Sequence, residues 1–337
     1  MTTVAINARA AARREIGGVE RLAREMAERL PRISPDRYRV IRPPTALAHR
    51  AGHVWEQAAL PSKARAAALI YSPANLAPIA AGNRNVVVIH DVAALRHPEW
   101  YRPAYVAYQR ALLPRIARHA RLIITVSDFS KRELTEVLGA DPARITVIPN
   151  GVDERFTPDA APALGMTRPY VLVVGTRIAR KNTIALDHTA QRLKPLGIEL
   201  VHAGSGRGYM RAEADTQMRE LGYVPDEEMP GLYAGAIALA MPSLYEGFGL
   251  PALEAMACGT PVVASNTTAL PETTGGAAVL VDPNDEQAFA DSIEKVASDE
   301  KHRADLSRRA LERARPFTWE RTAALTDAAI ERALTAT

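Results

Sequence analysis

The chain has 337 residues, 47% of them apolar and 24% charged, and a formal net charge of +4. That length is too great for one ordinary core and fits two domains, and the composition excludes a disordered or fibrous chain. The single cysteine, Cys258, excludes an internal disulfide and fits a reducing compartment; no apolar run is long enough to span a bilayer, and the early arginines leave no core of signal-peptide length, so the expected location is cytoplasmic.

Short apolar runs alternate with longer helical ones, the pattern of parallel α/β sheets. In the first half, strands are expected at 4–7, 38–41, 69–71, 86–90, 122–126 and 145–148, and helices at 19–30, 104–118 and 129–138, the last capped by Ser127 or Asp128. Pro149-Asn150-Gly151 closes this set, and the polar, proline-bearing stretch 157–169 reads as a linker. In the second half, strands are expected at 170–175, 199–203, 237–241, 261–264 and 278–281. Three helical stretches follow between 285 and 336. Two similar halves imply a cleft, and ligands of open parallel sheets bind beyond the carboxyl ends of the strands.

The most informative stretch is PSLYEGFGLPALEAMACGTPVVAS, residues 242–265, which reads as strand end, glycine loop, helix and strand. Pro251 suits the first turn of a helix, Glu254 lies in its early turns, and helical side chains lean toward the N-terminus, so its carboxylate is expected at the sheet's carboxyl edge. Glu246 is expected at the same edge, in the loop. An ionised carboxylate accepts hydrogen bonds through two oxygens and can hold a vicinal diol, so the pair suits a ribose and a transferred hexose. Gly247 and Gly249 bring bare backbone N–H groups to a helix start, which suits a phosphate.

The stretch VVGTRIARKN, residues 173–182, delivers Arg177, Arg180 and Lys181 just after the strand end at Gly175, where cations can neutralise a diphosphate leaving group. His90 ends an apolar strand and either bonds a sugar or acceptor or is structural. Gly17-Gly18 form a phosphate-friendly turn or an ordinary one, and His202-Ala203-Gly204-Ser205-Gly206 borders a nucleotide or makes a plain turn. His49 and His53 have helical spacing, but no third ligand completes a zinc pattern, and no metal or cofactor is expected. Cys258 reads as packing rather than nucleophile. The first half is basic and the second mildly acidic, which fits either an anionic acceptor or membrane surface or simply arginine-rich solvated faces. No basic run is interleaved with stacking aromatics, so nucleic acid is not an expected partner.

Together these segments resemble the family 4 glycosyltransferases, retaining enzymes of the GT-B architecture. The resemblance is strongest in EGFGLPALEAMACGTPVVAS, with its two glutamates separated by seven residues. VIHDVAALRHP, VSDFSKREL, VIPNGVDERFTP, GTRIARKN and LGYVPDEEMPGLYAGA support it. It implies two Rossmann-like domains with parallel sheets facing a central cleft: 1–160 for the acceptor, 161–316 for a nucleotide-sugar donor, and a helix within 317–337 returning to the first domain. It further implies that Glu246 contacts the transferred sugar, Glu254 the ribose, and Arg180 and Lys181 the diphosphate, with backbone N–H groups of Phe248, Gly249 and Leu250. Gly17 and Gly18 would lie near the phosphates, His90 near the sugar and acceptor, Val224 beside the base, and Gly175, Thr176 and Arg177 along the donor. Thr176 stands where many members carry arginine, and IGGVER (16–21) departs from the common glycine motif.

The expected function is retaining transfer of a mannose- or rhamnose-like hexose from a nucleoside diphosphate sugar to a hydroxyl of a glycan, lipid-linked or small-molecule acceptor, without metal. The basic first half fits peripheral contact with the inner face of a membrane; the helix around Arg110, Arg115 and Arg118 either touches a bilayer or, the preferred reading, packs on its own sheet. The rivals are a glycoside hydrolase using Glu246 and Glu254 as acid and base, a dehydrogenase (no G-x-G-x-x-G follows the first strand), and a nucleotide-sugar-binding protein without catalysis.

Overall fold

The computed structural model describes residues 3–13, 16–44, 52–204 and 217–335, so the sequence candidates His49, Ser205 and Gly206 lie outside the described residues. The chain divides into two units. Unit 1 comprises Met1–Arg96, Pro103–Gly151 and Trp319–Thr337, and unit 2 comprises His97–Arg102 and Val152–Thr318.

Unit 1 is built on six parallel strands: β1 (Val4–Asn7), β2 (Tyr38–Ile41), β3 (Leu69–Ser72), β4 (Asn85–Val88), β5 (Leu122–Thr125) and β6 (Ile145–Val147), in the order β2-β1-β3-β4-β5-β6. Every residue of β1, β3 and β4 is buried, as expected for strands covered on both faces by crossover helices. Those helices are α1 (Gly18–Ile33), α2 (Gly52–Lys63), the short α3 (Ala93–Arg96), α4 (Pro103–His119) and α5 (Asp128–Leu138). Ser127 caps α5, its Oγ accepting from the Ser130 N–H at 3.0 Å. Helix α2 has no counterpart among the sequence-predicted elements, because Gly52 at its start and Pro61 in its last turn read as breakers. Strand β4 stops two residues before His90, whose N–H donates to the Asn75 side chain at 2.8 Å rather than to a neighbouring strand.

The last helix of the chain, α12 (Trp319–Thr335), completes this unit. Its Trp319, Ala323, Ala329, Ile330 and Ala333 share one core with Val4, Ile6, Tyr71 and Val88 of the sheet and Leu22, Met26 and Leu30 of α1. Polar contacts fix its register: Asp327 accepts from Tyr38 Oη at 2.6 Å and pairs with Arg37 at 2.7 Å, and Thr322 Oγ1 donates to the Pro149 carbonyl at 2.8 Å.

Unit 2 repeats the plan with β7 (Tyr170–Val174), β8 (Glu199–Ala203), β9 (Arg219–Gly222), β10 (Ala238–Met241), β11 (Val262–Ser265) and β12 (Val279–Val281), all parallel, in the order β12-β11-β10-β7-β8-β9. Helices α6 (Asp187–Leu193), α7 (Met229–Ala234), α8 (Leu250–Ala257), α9 (Leu270–Thr274), α10 (Glu286–Ser298) and α11 (Glu300–Ala314) fill the connections and the end of the unit. The chain runs outward from β7 through β8 to β9, returns to lay β10 against the other side of β7, and runs outward again. The order therefore reverses between β7 and β10, the point where open parallel sheets leave a crevice beyond their carboxyl ends. Strand β9 escaped the list of sequence-predicted strands because RELG is polar and sits at the sheet's edge, exposed or half-exposed throughout.

Trp319 is fully buried at the α12 contact. Trp319→Ala should cost roughly 3–5 kcal/mol, the usual range for emptying a large aromatic site. Urea unfolding checks this, and a loss below about 1 kcal/mol would show that α12 adds little to its unit.

Candidate functional site

The reversal point of unit 2 is where its charged side chains gather. Strand β7 ends at Val174, and Gly175 follows with φ 139°, a conformation that glycine reaches without strain. The short helical turn Ala179–Lys181 then delivers Arg180 and Lys181. Asn182, at φ 52°, closes the turn, and its amide donates to the carbonyls of Pro242 (3.3 Å) and Pro283 (2.8 Å), tying it to the ends of β10 and β12. The neighbouring strand β10 ends at Met241 and leads into the loop that carries Glu246. Two backbone-directed bonds hold that loop: Leu244 N–H to the Arg180 carbonyl at 2.9 Å, and Glu246 N–H to Thr268 Oγ1 at 3.1 Å.

The two loops meet through their charges. Lys181 Nζ lies 2.6 Å from Glu246 Oε1, and Arg180 Nη1 lies 3.1 Å from Glu246 Oε2 while donating to the Tyr245 carbonyl at 2.6 Å. Lys181 and Glu246 are 8% and 7% exposed, so this is a nearly dry ion cluster. Burial alone would raise the Glu246 pKa. The charges of Arg180 and Lys181, with the hydrogen bond from Lys181, outweigh it and hold the carboxyl at about 2. Two cations and one carboxylate leave one net positive charge at the crevice, which favours an anionic ligand. The lysine's stem lies against Gly175, where a Cβ would come within 2.9 Å of Lys181 Cε.

The glycine loop continues through buried Gly247, Phe248 and Gly249 into α8, which starts at Leu250. Gly249, at φ 99°, is the N-cap and offers no side-chain cap, and Pro251 occupies the first turn. The Phe248 carbonyl accepts from Thr273 Oγ1 at 2.5 Å, fixing the loop on α9. Glu254 is buried on α8 and accepts from the Tyr233 hydroxyl of α7 at 2.9 Å. Its carboxylate is thus engaged within the fold, a partner that the spacing of the two glutamates did not reveal. Half-buried Thr176 and Arg177 follow Gly175, and Arg177 pairs with Glu220 of β9 at 3.2 Å. Buried Val224 follows β9. Sequence reading also missed the turn at His97–Trp100: the His97 ring stacks on Trp100 at 4.1 Å and meets the Tyr245 ring edge-on at 5.8 Å, one residue before Glu246. The aromatic spacing in HPEWY was the available signal.

The remaining candidates belong to unit 1. Gly17 is the N-cap of α1, and its N–H donates to Glu20 Oε2 at 3.1 Å, so that donor is used within a capping arrangement. Gly18 is the first residue of the helix. His90 is buried, with Nε2–H donating to the Pro73 carbonyl at 3.0 Å, and burial lowers its pKa, so the ring is neutral near pH 7. At this unit's own reversal point, between β1 and β3, Asn7 donates to Glu56 Oε1 at 2.6 Å and Arg9 pairs with the same fully buried carboxylate at 3.3 Å. His53 faces the second oxygen of Glu56 at 3.5 Å. This network ties α2 to the sheet and had no signal in the sequence beyond polar residues at strand ends. Among the described residues, no group of three or more His, Cys, Asp or Glu side chains could hold a metal ion.

Comparison with known proteins places this geometry in a family. Residues 16–156 match the description "Glycosyltransferase Family 4", and residues 156–313 match "Glycosyl transferases group 1". The O-antigen chain mannosyltransferase B of Escherichia coli is 36% identical over 257 residues, 70% of this chain and 67% of that protein. The MMP alpha-(1->4)-mannosyltransferase of Mycolicibacterium hassiacum is 31% identical over 72% of this chain. The chain spans 62% of the length of that second relative. Among solved structures, sucrose-phosphate synthase from Thermosynechococcus elongatus covers 100% of both chains with a TM-score of 0.76 at 20% identity. HepE from Anabaena, solved with UDP-glucose, has a TM-score of 0.74 at 18% identity and covers 98% of this chain and 100% of its own. At such identities these two structures establish the fold alone.

The charge cluster makes stability depend on pH. The carboxyl of Glu246 is held at about 2 when folded, below the ~4.3 of an unfolded glutamate. Its contribution is therefore fully present above about pH 4.3 and disappears as pH falls through about 2. Glu246→Gln should be less stable than the parent by about 3 kcal/mol at pH 7, with the gap closing below pH 4. Urea unfolding from pH 7 to pH 3 measures it, and a pH-independent gap would show that the carboxylate is not held this way.

Proposed function

The chain belongs to glycosyltransferase family 4, enzymes of the GT-B fold, and from that premise we propose that it moves a mannose- or rhamnose-like hexose from a nucleoside diphosphate sugar to an acceptor hydroxyl, with retention at the anomeric carbon. The observation that carries this reading is the Lys181–Glu246–Arg180 cluster at the reversal point of unit 2. One buried and one half-buried cation and an uncapped helix start suit a diphosphate that gains charge as its bond to the sugar breaks. Contacts that strengthen in the transition state are those that raise the rate. Glu246, locked between the cations, accepts hydrogen bonds from the sugar hydroxyls. Glu254 holds the ribose when the donor's hydroxyl joins or replaces that of Tyr233. Gly175, Thr176, Arg177, Val224 and the N–H groups of Phe248, Gly249 and Leu250 line the donor. The mannosyltransferase names of the relatives support the choice of hexose, and the UDP-glucose found with HepE supports a nucleotide-sugar donor.

Transfer then follows a front-face path: the departing phosphate oxygen takes the proton of the acceptor hydroxyl, that hydroxyl attacks the anomeric carbon on the same face, and the protein supplies positioning and charge. Arg180 and Lys181 supply the positive charge, and no metal is called for. Unit 1, with neutral His90 and the capped turn at Gly17 and Gly18, takes the acceptor. The exposed Arg110, Arg115 and Arg118 of α4 suit an acceptor carried on an anionic inner-membrane surface, with the protein itself on the cytoplasmic side. A glycoside hydrolase with Glu246 as its acid is disfavoured on electrostatic grounds: that acid must hold a proton near neutral pH, whereas Glu246 is held ionised down to about pH 2.

Lys181→Ala and Glu246→Ala should each lower turnover by about 10²–10³-fold while the fold is kept. A radiolabelled transfer assay with GDP-mannose and UDP-glucose, run with and without a glycan acceptor, tests the class. Both variants turning over at near-parent rates, or free sugar released without any acceptor, would refute the proposal.

A further inference from the structure

The proposed site contains a buried histidine with no part in the reading above. His202 lies on β8 and is fully buried. Both its ring nitrogens face acceptors: Nε2 is 2.8 Å from the Gly175 carbonyl, and Nδ1 is 2.7 Å from Glu220 Oε2 of β9. A carbonyl can only accept, so Nε2 carries a hydrogen. Glu220 also pairs with Arg177 through its other oxygen at 3.2 Å. The ring is therefore held between a peptide carbonyl and a carboxylate that also binds a guanidinium. His202 is paired with Glu220 across β8 and β9, in register with Val201 and Arg219, and a register shift follows between His202 and Ala203.

The peptide that His202 holds is the one against which Lys181 lies. Gly175 N–H donates to the Ala203 carbonyl at 3.0 Å. The Gly175 oxygen is packed so tightly on Gly204 that a Cβ there would lie 1.9 Å away. On the other side, the Gly175 Cα abuts the Lys181 stem. With its N–H tied to β8 and its carbonyl held by the ring, Gly175 is fixed through both of the peptides that flank its Cα, and that Cα is the floor beneath Lys181. We propose that His202, with Glu220 as its second partner, is a positioning residue of the donor site: it locks the Gly175 carbonyl and thereby sets Lys181 on Glu246 and toward the donor's diphosphate. This inference rests on the reading of unit 2 as a nucleotide-sugar site. It also gives His202-Ala203-Gly204 a role that is neither nucleotide border nor plain turn: Gly204 is small because the Gly175 carbonyl occupies its Cβ space, and His202 is polar because that carbonyl needs a donor.

A double-mutant cycle separates positioning through Lys181 from general support of the fold. With GDP-mannose as donor and UDP-glucose as a second donor, His202→Leu should lower kcat/KM by about 10–100-fold in the parent (roughly 1.4–2.7 kcal/mol in transition-state binding). It should cost less than about twofold more in a Lys181→Ala background. His202→Gln, which keeps one donor for the Gly175 carbonyl, should recover part of the loss and serves as the folded variant if the leucine form unfolds. Multiplicative losses, or a His202→Leu enzyme within twofold of the parent, would overturn the assignment. A parent protein that transfers no sugar from either donor would count against the proposed function instead. The histidine's hydrogen bond then remains measurable in the intact protein: ring ¹⁵N shifts of His202 should show Nε2 carrying a hydrogen, and a bare Nε2 would overturn the inference.

Discussion

One buried carboxylate held between two cations organises the second unit. Glu246 is the meeting point of two loops that leave adjacent parallel strands, and neither loop has regular structure of its own beyond a single helical turn. Removing either kind of partner leaves an uncompensated buried charge, which costs several kcal/mol, so the loops are specified as a pair.

Strand order explains why these particular loops meet. In unit 2 the chain lays down β7, β8 and β9 in one direction before β10 returns to the other side of β7. Only at that reversal do the connections leaving two neighbouring strands, β7 and β10, run in opposite directions, so the segments after them are not covered by a shared helix. The residues after β7 carry Arg180 and Lys181, and those after β10 carry Glu246 and the glycines that open α8. Unit 1 has the same reversal between β1 and β3, and there too a fully buried glutamate, Glu56, is met by an arginine. The cations are unlike in number: in unit 1 Glu56 meets Arg9 and a half-exposed histidine, whereas in unit 2 Glu246 meets both an arginine and a lysine.

Much of this was legible in the sequence. Apolar runs such as VAIN, LIYS and VLVV can hardly be other than buried strands, and a glycine loop before a proline-led helix marks the carboxyl edge of a sheet. Arg180, Lys181 and Glu246 could be named from position alone. Their direct pairing could not, because it depends on β7 and β10 being neighbours although over 60 residues separate the loops they feed. The polar edge strand β9 and the proline-bearing α2 were hidden for a local reason: their composition argues against the structure that packing imposes. Glu254 shows a third limit. Its place on α8 followed from Pro251, but its bond to Tyr233 depends on how α7 lies beside α8.

The charge state of Glu246 bears on chemistry as well as on folding. Two glutamates eight positions apart are compatible with acid and base roles in hydrolysis or with hydrogen-bonding roles in transfer, and spacing cannot separate the two. Electrostatics can. A general acid needs an environment that penalises its charge, and Glu246 is buried, which supplies that penalty, but Arg180 and Lys181 more than cancel it. The carboxylate therefore stays ionised and accepts hydrogen bonds, and both of its oxygens are held by cations, which makes it a poor nucleophile. What remains is a fixed negative group among fixed positive ones. Such a group can orient a sugar's hydroxyls while its neighbours draw off the charge of a departing phosphate, and it takes no proton in the process.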